Sequence, residues 1–312
     1  MWDQKRYHSL DYELKKTYGH KIYKLSLNGG MSCPNRDGTI DTRGCIFCSE
    51  GGSGDFAATF HNSVTDQIEE AKKLILPKLK EPDKVRYIAY FQAYTNTHAP
   101  ISYLRSIFFE AITHPDIVIL SIATRPDCLN DDVISLLNEL NRIKPVWLEL
   151  GLQTIHEQSA LFIRRGYLLP LFEEKTLLLH HLGITVIVHT ILGLPNETKH
   201  DMLKTMEYIS RLPVDGIKLQ LLHILRGTDL GTFYEKGIFT DLLSMEDYID
   251  ILISCLELLP EQMVIHRITG DGPKNLLLAP LWSGNKRLVL NRIHQQLKER
   301  DSYQGKYFKP LP

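Results

Sequence analysis

The feature that most constrains the fold is an alternation of short apolar segments with amphipathic ones along this chain of 312 residues. Six apolar segments have the length and composition of strands, at residues 21–27, 85–91, 117–122, 146–151, 184–191 and 216–222, and 264–268 is a possible seventh. Helical patterns lie between them, at residues 64–76, 102–112, 131–141, 157–165, 173–181 and 199–212. Strand followed by helix, six times over, indicates an α/β protein with a parallel sheet.

This order favours an open or closed (β/α) barrel over a doubly wound sheet, although periodicity alone leaves both open. A barrel of about 250 residues leaves room for short extensions. We therefore expect a basic N-terminal extension at 1–20, a barrel at 21–270 and a basic, aromatic C-terminal extension at 271–312. Barrel active sites lie at the C-terminal ends of the strands, and the motifs described below all follow predicted strands.

Composition narrows the cellular setting. The chain has no run of about 18 apolar residues, so no membrane helix is expected. Its cysteines number five, which is odd, and three of them crowd into one loop, unlike a secreted disulfide framework. We expect a protein of the reducing cytoplasm. Cys128 and Cys255, outside the loop, are expected to be buried thiols.

Both ends of the chain are basic. Residues 5–24 carry six Lys or Arg against two acids, and residues 280–312 carry seven against two, with four aromatic side chains among them. Such segments could contact a polyanion. Composition alone favours the simpler interpretation of two solvated surface segments.

The cysteine loop follows the first predicted strand and contains Cys33, Cys45 and Cys48 in the spacing C-x11-C-x2-C. Three thiolates are one too few for a structural zinc site, but they suit an iron–sulfur cluster with one iron open to an external ligand. Spacing alone also allows a zinc knuckle with His20 or His61 as the fourth ligand, or three unligated cysteines.

Later motifs add a family resemblance. They read T-R-P-D at 124–127, E-L-G-L-Q at 149–153, R-G-Y at 165–167, H-T-I-L-G-L-P at 189–195, D-G-I-K-L-Q at 215–220 and I-L-R-G-T at 224–228. Their order and spacing resemble the radical S-adenosylmethionine (SAM) superfamily over about residues 23–281. Within it, the chain is most similar to the radical domain of the Elongator catalytic subunit and its small bacterial relatives.

The resemblance implies a partial (β/α)6 TIM-like barrel and a [4Fe–4S] cluster on Cys33, Cys45 and Cys48, with SAM at the open iron. Reductive cleavage of SAM would give a 5′-deoxyadenosyl radical that abstracts a hydrogen atom from the substrate. The Elongator subunit modifies the wobble uridine of tRNA, so tRNA is the implied partner, together with an electron donor such as flavodoxin or ferredoxin. No membrane or DNA partner is implied. The alternatives are a radical enzyme for a small metabolite and a non-catalytic zinc-binding module.

The resemblance also implies several SAM contacts. Gln92 and Thr95 stand where the superfamily often has a glycine-rich turn that meets the methionine amino group. Gln153 and Arg165 are spaced like a pair that helps to hold the cofactor, since a guanidinium can grip a carboxylate with two bonds. Without the family, Arg165 would be read as a residue that caps carbonyls at a helix end.

Two further contacts are implied around the nucleoside. His189 stands where relatives place a ribose-binding group, although a lone His on an apolar strand is usually a hydrogen-bonded core residue. The backbone at Leu194 could face adenine, or form an ordinary turn. Elongator relatives tend to have a glutamate at the position of Ala123, so that ribose contact is lost here or supplied elsewhere, with Glu149 as the candidate.

One departure from the Elongator subunit concerns its additional acetyltransferase domain. About forty residues follow position 271 in this chain, which are too few for another domain. An acetyl-coenzyme A mechanism therefore cannot simply be carried over to this chain.

Overall fold

The computed structural model describes residues 1–52, 54–55, 57–58, 60, 63–78, 85–270 and 272–310. Seven parallel strands form one sheet in the order β1-β2-β3-β4-β5-β6-β8. Their bounds are β1 Ile22–Leu27, β2 Arg86–Phe91, β3 Ile117–Thr124, β4 Val146–Gln153, β5 Thr185–Leu192, β6 Gly216–Leu221 and β8 Val264–Arg267. A small antiparallel pair, β7 Ile224–Leu225 and β9 Leu277–Ala279, stands apart. The sheet is a half barrel, open between β1 and β8, which confirms the predicted partial barrel and its seventh strand.

The helices are α1 Leu10–Tyr18, α2 Val64–Ile75, α3 Ile101–Thr113, α4 Asp131–Asn141, α5 Glu157–Phe162, α6 Leu169–His181, α7 Lys199–Ile209, α8 Asp229–Glu235, α9 Met245–Leu258 and α10 Lys286–Glu299. Several begin at a side chain that accepts a hydrogen bond from a first-turn amide, as Ser63, Asn130 and Ser244 do. At α7, Thr198 and Asp201 form a reciprocal capping box. Local sequence therefore sets where these helices start.

Three helix boundaries differ from the predicted ones by more than one residue. The α5 helix ends at Phe162 rather than at residue 165, because Arg164 (φ 58°) and Gly166 (φ 82°) have left-handed backbone that cannot continue a helix. The α6 helix begins four residues early, with Pro170 in its first turn, a position that needs no amide hydrogen. The α7 helix ends at Ile209 rather than at residue 212.

The two terminal segments pack against the open edge of the barrel. Helix α1 contacts both β1 and β8, and the Ile265 amide donates to the His8 carbonyl at 2.7 Å. The Gln304 side chain accepts from the His8 amide at 2.8 Å and donates to the Pro260 and Met263 carbonyls at 2.7 and 2.8 Å. These contacts lie at the start of β8. These residues near the two termini are thus joined to the barrel at the end opposite the C-terminal strand ends.

One large apolar core fills the space between the sheet and its helices. Cys255 on α9 lies in it with no exposed surface, as expected, whereas Cys128 is partly exposed. Within the described ranges, no helix has both the length and the apolar character that crossing a membrane requires.

Candidate active site

A cavity of about 260 Å³ lies at the C-terminal ends of the strands. Its wall brings together nine of the ten predicted site residues: Cys33, Cys45, Cys48, Gln92, Thr95, Glu149, Gln153, Arg165 and His189. The tenth, Leu194, is buried in a separate apolar cluster with Ile46 and Ile191 and does not line the cavity. The cavity therefore lies where the active site of a barrel is expected.

The cysteine loop is folded by its own hydrogen bonds. The Arg36 and Asp37 amides donate to the Cys33 carbonyl at 2.7 and 3.1 Å, and the Cys48 amide donates to the Cys45 carbonyl at 3.1 Å. The Arg36 guanidinium donates to the carbonyls of Cys48 and Ser49 at 2.9 and 2.6 Å. These bonds fix the loop backbone around the three thiols.

The donor set fits an iron–sulfur cluster. Among the described residues, the three cysteines belong to no group of three ligands whose atoms all lie within 4.8 Å of one another. One tetrahedral zinc ion would need sulfurs about 3.8 Å apart, given a Zn–S bond of about 2.3 Å. A cubane binds each thiolate to a different iron, and so holds the sulfurs further apart. His61, one candidate fourth zinc ligand, lies outside the described residues.

Two buried side chains surround the thiol of Cys45. The Asn35 amide nitrogen donates to the Cys45 sulfur at 3.4 Å and to the Arg164 carbonyl at 2.6 Å. Arg125 lines the same wall and grips Asp127 with bonds of 2.9 and 2.7 Å. Although burial lowers the pKa of Arg125, the Asp127 carboxylate and the cysteine thiolates hold it above the usual value. Burial raises the pKa of the Cys45 thiol to about 12, so a thiolate there needs positive charge beside it.

Gly166 allows these groups to meet. A Cβ atom at this position would lie 2.7 Å from Asn35 Oδ1 and 3.0 Å from an Arg125 nitrogen, and its φ of 82° disfavours other residues. The glycine of the R-G-Y motif is thus required by close packing behind the cysteine loop.

We expect Gly166→Ala to weaken iron retention and to destabilise the protein. Gly183→Ala is the matched control, because Gly183 has a similar φ of 68° but nothing within 4 Å of its added Cβ. The control should lose about 1–2 kcal/mol from the left-handed backbone alone. Gly166→Ala should lose about 1–3 kcal/mol more from overpacking. Urea unfolding and iron analysis measure both effects, and equal losses would contradict a packing role.

Arg165 is almost completely buried, and most of its hydrogen bonds go to backbone carbonyls. It donates to the carbonyls of Tyr167, Leu152 and Thr154 at 3.0, 3.4 and 2.7 Å, and reaches Glu157 at 3.2 Å. These contacts match the alternative interpretation, in which Arg165 caps backbone carbonyls. The predicted contact between Arg165 and SAM remains a prediction.

Gln153 stands at the end of β4 with a φ of 62°. With its amide turned to suit its neighbours, its nitrogen donates to the Gly151 and Leu152 carbonyls at 3.0 and 2.9 Å. The side chain lines the cavity. Its contact with the cofactor stays a prediction.

Below the cysteine loop, a buried charge network centres on Glu149. Its carboxylate, which has no exposed surface, accepts from Lys24, Ser121 and His189 at 2.7 Å each, and also from Lys218. Although burial would raise the pKa of Glu149, Lys218 and Lys24 hold it well below the usual range. A ribose hydroxyl would have to displace one of these four donors.

His189 is neutral in this network. Burial and the neighbouring Lys218 lower the pKa of His189 to about 4. Its ring bonds to Glu149, as a hydrogen-bonded core histidine would, while its edge still lines the cavity. The ribose contact is untested.

Sequence reasoning missed the roles of Asn35, Arg125, Lys24 and Lys218. Arg125 and Lys218 stand in the quoted motifs, but no role was assigned to them. A signal was present for the lysines, because a charged residue inside a predicted apolar strand must find a partner when it is buried. Asn35 and Arg125 carried no comparable signal.

Some of the basic residues at the two ends of the chain are paired with acids. Arg292 bonds to Glu246 through two nitrogens at 3.0 and 3.1 Å, and Arg300 bonds to Asp250 at 2.6 Å. These pairs agree with solvated surface segments. Two exposed cations stand nearer the cavity, since Arg226 follows β7 and Lys274 follows Pro273, a cavity residue.

Comparison with known families and proteins gives consistent matches. The family model for the radical SAM superfamily matches residues 42–209, which is more than half of the chain. The model for the radical SAM C-terminal domain matches residues 214–299. The chain is 47% identical over 308 residues to the uncharacterized protein YtqA of Bacillus subtilis, which covers 99% of this chain and 94% of that one. It is 38% identical over 288 residues to the protein YhcC of Escherichia coli, and the match covers 92% of this chain and 91% of that one.

The Elongator relatives match over a shorter stretch. Elongator complex protein 3 of Schizosaccharomyces pombe is 31% identical over 179 residues, 56% of this chain but only 32% of that protein. The solved structure of archaeal Methanocaldococcus infernus Elp3, lacking its N-terminus, superposes with a TM-score of 0.67 at 16% identity, covering 91% of this chain and 64% of that one. Methylornithine synthase (PylB) gives a TM-score of 0.53 at 12% identity, covering 97% and 87%. At these identities the structures establish the fold alone.

Proposed function

Because the chain belongs to the radical SAM superfamily, we propose that it holds a [4Fe–4S] cluster on Cys33, Cys45 and Cys48 and modifies the wobble uridine of tRNA. The family's cofactors are the [4Fe–4S] cluster and SAM. When bound, they supply an electron-driven cleavage that delivers a 5′-deoxyadenosyl radical. The observation that carries the proposal is the trio of cysteines that the loop after β1 places on the cavity wall.

The chain's own residues would position and shield this chemistry. Asn35 donates to the Cys45 sulfur, and the Arg125 guanidinium places positive charge beside the thiolates. Gln92, Thr95 and Gln153 line the cavity where they could meet SAM. Holding cofactor and substrate together in an enclosed site replaces a chance encounter with a fixed geometry. No acid–base pair is required for hydrogen abstraction.

The tRNA assignment is supported by the Elongator resemblance and by charge near the cavity. Arg226 and Lys274 are exposed on the segments that border the cavity mouth, where they could contact phosphates. A single nucleotide turned out of its stack would then enter the cavity. His8 and Gln304, which pack at the start of β8, lie at the far end of the barrel and take no part. Flavodoxin or ferredoxin as reductant, and a cytoplasmic location, are parts of the same proposal.

Deleting the gene and measuring tRNA nucleosides by mass spectrometry tests this function. We expect a modified wobble uridine to disappear and its precursor to accumulate. The wild-type gene and a Lys298→Glu variant, whose change lies on exposed surface at the end of α10, should restore the product. A double Arg226→Glu, Lys274→Glu variant should restore little of the product, because losing two phosphate contacts weakens tRNA binding. Each lost contact should also lower the slope of the salt dependence of tRNA binding by about one unit.

An unchanged nucleoside profile under several growth conditions would reject the tRNA assignment. A small-metabolite substrate would then be favoured. Full rescue by the doubly reversed variant would reject the proposed contact at Arg226 and Lys274 while leaving the tRNA assignment in place.

A further inference from the structure

Asn35 is held beside the Cys45 sulfur by contacts with two other parts of the chain. It lies two residues after Cys33, and its carbonyl accepts from the Gly44 amide at 2.7 Å. Its side-chain nitrogen donates at 2.6 Å to the carbonyl of Arg164, two residues beyond the end of α5. The residue is buried, with 1% of its surface exposed. These contacts fix the position of its side-chain amide.

The Asn35 amide presents its nitrogen, and not its oxygen, to Cys45. If the amide were turned over, its oxygen would face the Arg164 carbonyl, and two acceptors would meet at the distance of a short hydrogen bond. In the observed orientation one hydrogen of the amide nitrogen is directed to that carbonyl. The same nitrogen lies 3.4 Å from the Cys45 sulfur and donates to it as well.

Packing alone does not explain an amide at position 35. Among the described residues, Asn35 Oδ1 has no hydrogen-bond partner although it is buried. A buried acceptor without a partner destabilises the folded state, and an apolar side chain of similar shape would avoid that loss. The functional part of the Asn35 side chain is therefore its nitrogen.

The bond to sulfur matters more once Cys45 binds iron. As a thiol, Cys45 donates to the Arg164 carbonyl at 3.5 Å. A cysteine that binds iron is a thiolate and has no hydrogen to donate, so its sulfur and this carbonyl oxygen would repel each other. The Asn35 nitrogen donates to both atoms, and so it offsets the repulsion.

We propose that Asn35 is a positioning residue that raises the reduction potential of the cluster through its bond to the Cys45 sulfur. The inference rests on the proposed function in taking Cys45 as a cluster ligand, and it deepens that function by naming a residue that governs electron entry. Reduction adds one electron from the flavodoxin or ferredoxin to the [4Fe–4S]²⁺ form and gives [4Fe–4S]⁺, with no bond made or broken. Because the added charge is shared by the sulfurs, a hydrogen bond to one of them stabilises the reduced form more than the oxidised form.

The test measures the midpoint potential of the reconstituted protein without SAM. Dithionite is added anaerobically in the presence of redox mediators, and the EPR signal of the reduced cluster is followed. We expect Asn35→Leu, which removes the donor, to lower the equilibrium constant for reduction about tenfold. This change is a shift of about 59 mV toward more negative potential. An iron-loaded Asn35→Leu protein with the potential of the wild type would overturn the proposal.

Asn96→Leu is the matched control. Asn96 is also a buried asparagine, and its side-chain nitrogen donates to the Phe91 and Ala123 carbonyls at 3.0 and 2.9 Å. Its Oδ1 likewise has no partner among the described residues. This variant therefore loses two bonds to backbone, but none to sulfur, and should keep the potential of the wild type. An equal shift in both variants would mean that loss of packing, and not the bond to Cys45, changes the potential.

A measurement on the wild type keeps the proposal testable if Asn35→Leu binds no iron. Asparagine labelled with ¹⁵N in its side-chain amide is incorporated, and pulsed EPR of the reduced cluster detects coupling to a ¹⁵N nucleus bonded toward a ligand sulfur. We expect a coupling that Asn96→Leu retains, and its absence from the wild type would overturn the role of Asn35. If the wild type itself never binds iron, the cluster assignment fails and the role of Asn35 fails with it. A loaded cluster with neither the coupling nor the shift rejects the role of Asn35 alone.

Discussion

Replacing Cys45 with alanine is expected to abolish iron loading, the absorption band at about 400 nm and the formation of 5′-deoxyadenosine. Each cysteine in the loop would bind one iron. Without Cys45, only two thiolates remain for a cluster that needs three. Cys45 is also the thiol that Asn35 contacts directly. Anaerobic reconstitution followed by dithionite and SAM measures all three quantities, and the wild type should hold about four irons per chain.

Cys255→Ala is the matched control. Cys255 lies in the apolar core on α9, away from the cavity, and its replacement should cost about 1 kcal/mol of stability without loss of iron. Cys128→Ala, outside the cluster cavity, should also keep its iron. If anaerobic wild-type protein holds zinc instead of iron, or if Cys45→Ala still cleaves SAM, the cluster assignment fails.

The sheet was predictable because each strand is a local apolar run with its own helix. Six strands, and the seventh, lie where their apolar segments predict, with ends displaced by a few residues. The displaced end of α5 has a tertiary cause. The α5 helix stops early because Arg164 turns left-handed, so that its carbonyl accepts from Asn35 at 2.6 Å, 129 residues away along the chain.

The candidate site was predictable in position but not in its contacts. Residues that follow parallel strands meet at one edge, so the cysteine loop, Gln153 and His189 were expected to converge, and all line the cavity. Which donor satisfies which acceptor depends on packing between distant segments. Arg165 could have faced SAM or backbone carbonyls, and only the fold shows its nitrogens bonded to the Leu152 and Thr154 carbonyls at the end of β4.

Glu149→Gln is expected to cost about 3–5 kcal/mol of unfolding free energy, because it leaves Lys24 and Lys218 without their shared carboxylate. Glu139→Gln is the control, since Glu139 pairs with Arg105 on the surface with nearly half of each side chain exposed. Removing that exposed pair should cost at most about 1 kcal/mol. Urea unfolding at pH 7 measures both.

The contribution of Glu149 to the free energy of unfolding should depend on pH. The folded pKa of Glu149 lies below its unfolded value, so its contribution is present above about pH 4.5 and is lost as the pH falls toward the lowered pKa. The gap between wild type and Glu149→Gln should therefore close in acid.

A double variant, Glu149→Met with Lys218→Met, separates charge from packing. Replacing both partners of a buried pair with apolar side chains is often nearly neutral, so it should recover most of the loss seen in Glu149→Gln. Lys24 is partly exposed and its ammonium group can be hydrated. If the double variant is instead as unstable as the single one, the carboxylate acts through its bonds to Ser121 and His189, and the network is a hydrogen-bonded scaffold more than a charge centre.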